Sequence, residues 1–333
     1  MPLRRLAAAV PNGLPLTGPL IRAGLAHAFG PPPFDPSASP GDPGLFGPES
    51  ASWMVIAEPA AIVGGVRALL VQLLHPAAMA GVADHSRFRE DPLDRLQRTS
   101  SYVTATAFGC TDDALRAAAG VRRAHRRVVG TTPAGAPYRA DDPHLLAWVS
   151  IALTSSFLAT HAAYAPSKLT DAEADRFVAE QSRAAALLDP RIHLDALGRG
   201  PRLGARLASG AVALPMLDEG ALPLTADELA GAVSRYAQEW EVNEQGRETL
   251  RFLLWPDLRP PLRAAYLPLL AGAVATLDPE QRRHLRLPVA VAGPAIRAQT
   301  RVALTAMRVA AGTSPAMHAA RRRASGGDEA MAG

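Results

Sequence analysis

Apolar residues recur along this chain mostly at the helical period, in stretches cut apart by proline and glycine. From Ala60 to Leu74 almost every position is apolar, which predicts a helix buried on all sides. One or two turns over Ser52 to Ala57 lead into it. It ends or kinks at His75-Pro76, because proline lacks a backbone donor and disfavours helical geometry in the residue before it. Gly81 to Asp91 reads as a polar loop around His85. Asp91 as N-cap and Pro92 at the first position then open a new helix, which closes at Phe108-Gly109. On that helix Arg95, Arg98, Thr99 and Tyr102 share one face. Two guanidinium groups, a hydroxyl and a phenol are too polar for plain core, so this face either meets water or lines a polar site. From Asp112 to Val129 the apolar residues Leu115, Ala118, Val121 and Val128 mark a second amphipathic helix, and His125 falls on the same face.

Beyond it, Thr131 to Asp142 reads as a proline and glycine loop carrying Tyr138 and Arg139. Pro143 to Tyr164 is a strongly apolar helix with a hydroxyl-lined side. Its length invites a membrane reading, but His144, His161 and the Ser/Thr cluster favour packing against other helices. Thr170 and Glu173 form a capping box for a helix to about Leu188. The same pattern at Thr225 and Glu228 precedes a helix to Trp240. A proline-broken apolar stretch follows from Phe252 to Leu270, and further helices start at Asp278-Pro279 and at Pro294. The expected organisation is a flexible arm over residues 1–40, with a short helix at Leu20 to Phe29, then one all-α domain over 41–315. A disordered tail over 316–333 completes it.

Composition narrows the function. With 48% hydrophobic residues among 333, the chain can bury a large core. The net charge of +4 is spread over most segments without interleaved aromatics, which argues against a nucleic-acid partner. A single cysteine, Cys110, rules out an internal disulfide and a thiolate metal cluster and fits a reducing compartment. The apolar run after Arg4-Arg5 is halted by Pro11-Asn12-Gly13, too early for a secretory signal, so the expected location is the cytoplasm. No phosphate-binding glycine loop, nucleophile elbow or His-Glu-x-x-His zinc pair is present.

The candidate chemistry gathers between Val71 and Gly130, which holds His75, His85 and His125. His125 is flanked by Arg122, Arg123, Arg126 and Arg127. An imidazole on an apolar face bordered by guanidinium groups suits a haem, which needs an axial ligand, apolar walls and cations for its propionates. The same pattern also describes a packed core histidine on a helix with solvated flanks. Arg139 could meet a propionate or simply a surface carboxylate.

Several motifs in order carry a resemblance: Leu73-Leu74-His75-Pro76, Ala83-Asp84-His85-Ser86-Arg87-Phe88, Arg95-x-x-Arg98-Thr99 and Val121-Arg122-x-x-His125-x-x-Val128-x-Gly130. Pro137-Tyr138-Arg139-Ala140-Asp141-Asp142-Pro143 and Leu146-x-Trp148-Val149 continue it. The chain resembles the family of the rubber oxygenase (latex clearing protein) and the MpaB-type oxygenase over roughly Gly41 to Leu270. The resemblance implies an all-helical domain enclosing a pocket for haem b, and an oxygenase acting with dioxygen on a small apolar, isoprenoid-like substrate. It makes His125 the proximal iron ligand and places Arg95 and Thr99 on the distal side. Arg122, His85 and Arg139 become candidate cofactor contacts, and His75 or His85 a candidate base. Arg98 stands where the rubber enzyme has a lysine that can cap the iron, and Ser150 where many relatives have histidine. A guanidinium stays protonated and ligates metals poorly, so the distal position is expected to be open or water-bound. The other class consistent with these residues is a helical haem- or lipid-binding protein without turnover.

Overall fold

The centre of the protein is a contact between the two most apolar helices. In the computed structural model, which describes residues 30–86, 92–287, 293–312 and 314–326, the first short helix α1 (Ala51–Ile56) leads into α2 (Ala60–Gln72). α2 packs along α6 (Pro143–Tyr164). The close approach depends on Gly64, where an added Cβ would stand 2.6 Å from Phe157 Cδ1 and 2.8 Å from the Thr160 hydroxyl. Trp148 and Ile151 of α6 and Val63 and Leu70 of α2 are fully buried. α6 is long and apolar enough to cross a membrane by length and composition, yet most of its apolar stretch is buried against other helices.

Two charged groups inside this layer are matched, whereas Trp148 Nε1 and both ring nitrogens of His161 are buried without a hydrogen-bond partner. Arg67 is buried, and its guanidinium donates to the Ser156 hydroxyl at 2.9 Å, to Gln281 Oε1 at 2.9 Å and to the Thr276 carbonyl at 3.3 Å. Burial pulls its pKa down to about 10. The carboxylate of Glu180, on α7 (Asp171–Ala186), accepts from the first backbone amide groups of α1, including Ser52 at 2.7 Å. The Thr170–Glu173 capping box opens α7 as its sequence predicts.

His75 ends the first helix run. Its extended backbone turns the chain sharply into α3 (Pro76–His85), with proline at the first position. The polar loop expected from Gly81 therefore begins only after His85. Gly81 lies within α3, facing Val128 and the Tyr138 ring. α4 (Pro92–Phe108) and α5 (Thr111–His125) then form a helical hairpin.

α5 stops at His125, short of the expected Val129, and the chain enters a small antiparallel pair, β1 (Val129–Thr131) with β2 (Pro137–Arg139). This replaces the loop expected there. Gly130 is required in it, since a Cβ would meet the Tyr138 hydroxyl at 2.6 Å.

The remaining helices wrap the α2/α6 layer: α8 (Arg202–Ala208), α9 (Pro215–Asp218), α10 (Ala226–Tyr236), α11 (Glu244–Leu254), α12 (Pro260–Ala275), α13 (Pro279–His284), α14 (Gly293–Ala311) and α15 (Pro315–Ala324). The protein is an all-α domain with one two-stranded pair among the described residues. The stretch from Pro315 departs from the expected disordered tail as far as Ala324. Arg323 is buried and donates to the carbonyls of Asp42 and Phe108 at 2.9 Å and 2.8 Å, which fixes α15 against the arm and the end of α4. The helix expected at Leu20 to Phe29 lies outside the described residues.

Candidate functional site

Where α4 and α5 diverge, they leave an open groove of about 540 Å³. One wall is Arg98, Ser101, Tyr102 and Ala105 of α4; the other is Arg116, Ala117, Gly120 and Val121 of α5. Ala117, Gly120 and Val121 are the small side chains of the α5 wall, and a Cβ added at Gly120 would meet nothing within 4 Å. Tyr102 turns its hydroxyl away to donate to the Ala184 carbonyl at 2.9 Å, presenting only its ring edge as lining. Arg98 is exposed on the groove, and Arg116 is paired with Asp113.

His125 is the last residue of α5, one helical turn beyond Val121 and two beyond Ala117, so it lies on the same helix face just past the groove lining. Its Nδ1 is buried and has no hydrogen-bond partner. Burial lowers its pKa, and the nearby Asp141 carboxylate opposes this only in part. The imidazole is therefore neutral near pH 7 with a nitrogen uncommitted to the protein, which is the state a metal-ligating histidine needs. Because α4 and α5 are joined end to end by Gly109-Cys110, the Arg95–Thr99 segment of α4 lies at the same end of the hairpin as His125. Thr99 is half-buried, and the side chain of Arg95 is outside the described residues.

The other candidates divide. The β-pair returns Arg139 and Asp141 towards His125, but the Arg139 guanidinium is spent on Asp141, with contacts of 3.0 and 3.1 Å. His85 is exposed at the end of α3, its Nε2 3.1 Å from the Val129 carbonyl. It thus braces the strand that follows His125. Arg122 donates to the carbonyls of Ile192 and Pro190 at 2.8 and 2.9 Å and so clamps the loop after α7. His75 lies at the opposite end of α3, ten residues from His85, or about 15 Å by helical rise. There its Nε2 stands 3.2 Å from Glu239. The structure thus brings Arg98, Thr99 and His125 to one hairpin, sets His85 and Arg139 beside it, and separates His75 from it. Asp141, the carboxylate that acts on His125, had no signal of its own beyond its place in the Pro137–Pro143 motif.

Residues 53–312 match the family model described as ER-bound oxygenase mpaB/B'/Rubber oxygenase, catalytic domain. The chain belongs to this family. The match spans the core layer, the α4/α5 hairpin and the β-pair, so membership in this oxygenase family covers every candidate residue above. No curated protein and no solved structure matches the chain.

Proposed function

We propose that this protein is a haem b-dependent oxygenase that acts with dioxygen on an apolar, isoprenoid-like alkene or lipid. The observation that carries the reading is His125, a neutral imidazole with a partner-free buried nitrogen, one helical turn beyond Val121 at the edge of the α4/α5 groove. The volume of about 540 Å³ lies within the range of small-molecule and cofactor sites. His125 would hold the iron, and Arg98 at the groove would donate hydrogen bonds to a bound polar group. Bound haem would supply the activation of dioxygen.

The chain's own residues account for the rest. The apolar side chains Ala105, Ala117 and Val121 present surface on which a hydrocarbon binds by exclusion of water. The guanidinium of Arg98 has no acceptor atom and acts as a hydrogen-bond donor only. Thr99 can both donate and accept, so it is suited to pass a proton between a bound polar group and solvent. Arg95 is assigned beside them on its place in α4. His85 and Arg139 position the segment around His125 through Val129 and Asp141, and Arg122 holds the loop behind it.

The test is spectroscopic first and kinetic second. Protein from cells supplied with haem precursor should be red, with about one non-covalent haem per chain, since the lone cysteine offers no attachment motif. Reduced protein should consume oxygen when given a polyisoprenoid alkene. A colourless protein removes the haem assignment. A red protein that consumes no oxygen with any alkene supports the binding protein instead.

A further inference from the structure

At the end of α3 remote from the groove, three chain segments converge. His75 sits at the break between α2 and α3, His144 in the first turn of α6, and Glu239 in the 3₁₀ turn that follows α10. One potential ligand atom from each lies within 4.8 Å of the other two. The Glu239 carboxylate is 3.2 Å from His75 Nε2 and 2.9 and 3.1 Å from His144 Nε2. Two ligand atoms on a tetrahedral zinc ion, each at about 2.0–2.1 Å, stand about 3.3 Å apart, so small side-chain rotations would close this group on an ion.

The Tyr236 hydroxyl donates to the His144 carbonyl at 2.8 Å, and its oxygen stands 3.3 Å from His144 Nδ1. Without an ion, His144 Nε2 can carry the ring proton and donate to Glu239 at 2.9 Å. With an ion bound at Nε2 the proton sits on Nδ1, where the phenol oxygen is placed to accept it, the outer-shell arrangement that orients metal-ligating histidines.

The surroundings hold the three groups in place. The Trp148 ring lies 5.8 Å from His75, and the Tyr236 ring lies 4.7 Å from His144. Asp142 caps the turn that carries His144, accepting its amide at 2.9 Å. The Glu241 amide donates to the Leu74 carbonyl at 2.8 Å, tying the segment after Glu239 to the residue before His75. His75 is buried, while the side chains of His144 and Glu239 are 53% and 43% exposed, so an ion can enter from solvent and keep one position open to water.

We propose that His75, His144 and Glu239 form a site for one divalent transition-metal ion of the zinc class, independent of the groove at His125. Two imidazoles and a carboxylate are an N/O set suited to zinc and poorly suited to magnesium or calcium, which take oxygen ligands. An ion there would join α2, α3, α6 and the end of α10.

The experiment uses the full chain, freed of metal with a chelator and titrated with Zn²⁺ by calorimetry, with thermal unfolding followed in parallel. Saturation at one ion per chain and a rise in Tm are expected. His144→Ala and Glu239→Gln, both at exposed positions that leave the fold intact, should each weaken binding at least tenfold. Tyr236→Phe should weaken it about tenfold by freeing the ring of His144. His193→Ala, at an exposed histidine elsewhere, should leave it unchanged. Magnesium should not compete. Absence of saturable binding, or binding that His144→Ala leaves unaltered, overturns the assignment. Haem content plays no part in the readout, so the result is independent of the function proposed above.

Discussion

The α2/α6 layer and the α4/α5 hairpin are both contacts between two long helices, but they are packed to opposite ends. In the first, Gly64 lets the backbones close until no Cβ would fit, and the one buried guanidinium, Arg67, has all its arms matched. In the second, small residues leave open space instead of contact, arginines line the opening, and the buried nitrogen of His125 is left without a partner. An unmatched polar atom and an unfilled groove both cost stability. The dense layer beside them can carry that cost, which is why the site can be placed on the hairpin and not in the core.

If stability and function are divided in this way, one substitution in each region should separate them. His125→Ala should reduce haem from about one per chain to near none, read by the Soret absorbance of purified protein. Because that imidazole is half-buried and its Nδ1 makes no hydrogen bond, unfolding in denaturant should shift by less than ~1 kcal/mol. Haem retained at the wild-type ratio would move the ligand elsewhere. Gly64→Val should do the reverse. It places a branched side chain against Phe157 and Thr160 and should cost about 3 kcal/mol, while the fraction that folds keeps its haem. An unfolding midpoint unchanged by Gly64→Val would mean that the two helices slide freely and that the contrast is wrong.

pH probes both regions at once. Burial lowers the pKa of His75, His125 and His161. Above about pH 6.5 these groups are neutral in both folded and unfolded chains, so their contribution is fully present there. As pH falls below that value the unfolded chain takes up protons that the folded one refuses, and stability declines by at most ~1.4 kcal/mol per pH unit for each histidine. Glu58 and Glu180, whose pKa values burial raises, act with the opposite sign further into acid and moderate the slope. His161 is buried in α6, and neither ring nitrogen makes a hydrogen bond of ordinary geometry. His161→Leu should therefore keep or raise stability at pH 7 and flatten the acid slope by up to one proton, measured by urea unfolding at a series of pH values. A slope unchanged in that variant would assign the acid sensitivity to His75 and His125.

The sequence was most legible where local chemistry decides the structure. The His75-Pro76 break, the Thr170–Glu173 cap, the all-round apolarity of α2 and the shared face of His125 with Val121 each follow from neighbouring residues. It was least legible where distant segments decide. Val129 pairs with Arg139 across a proline-rich turn, which no alternating pattern announces. Gly81 looks like the start of a loop, but it lies within α3, where the helix packs on Val128 and Tyr138. Arg323 looks like part of a charged tail until the carbonyls of Asp42 and Phe108 receive it. Three histidines within one stretch suggest one site, yet α3 keeps His75 away from the other two. Glu239, its partner, is 164 residues further along the chain and carries no mark of that contact.

The smallest expected effect tests the groove most finely. Arg98 is exposed on the α4 wall, so exchanging it for lysine should change unfolding free energy by no more than ~0.5 kcal/mol and leave haem content as it was. The two side chains differ in one property that matters here: a lysine shielded from water can lose its proton and offer a lone pair, whereas a guanidinium cannot. The haem-loaded wild type should accordingly take up added imidazole or cyanide readily, with a shift in its absorption spectrum. In Arg98→Lys the same titration should need more ligand, by a factor that grows with pH as more of the lysine is deprotonated. A wild-type spectrum that ignores imidazole at every pH would mean that another side chain already occupies that position, and the groove would then resemble the filled interior of the α2/α6 layer more than an open site.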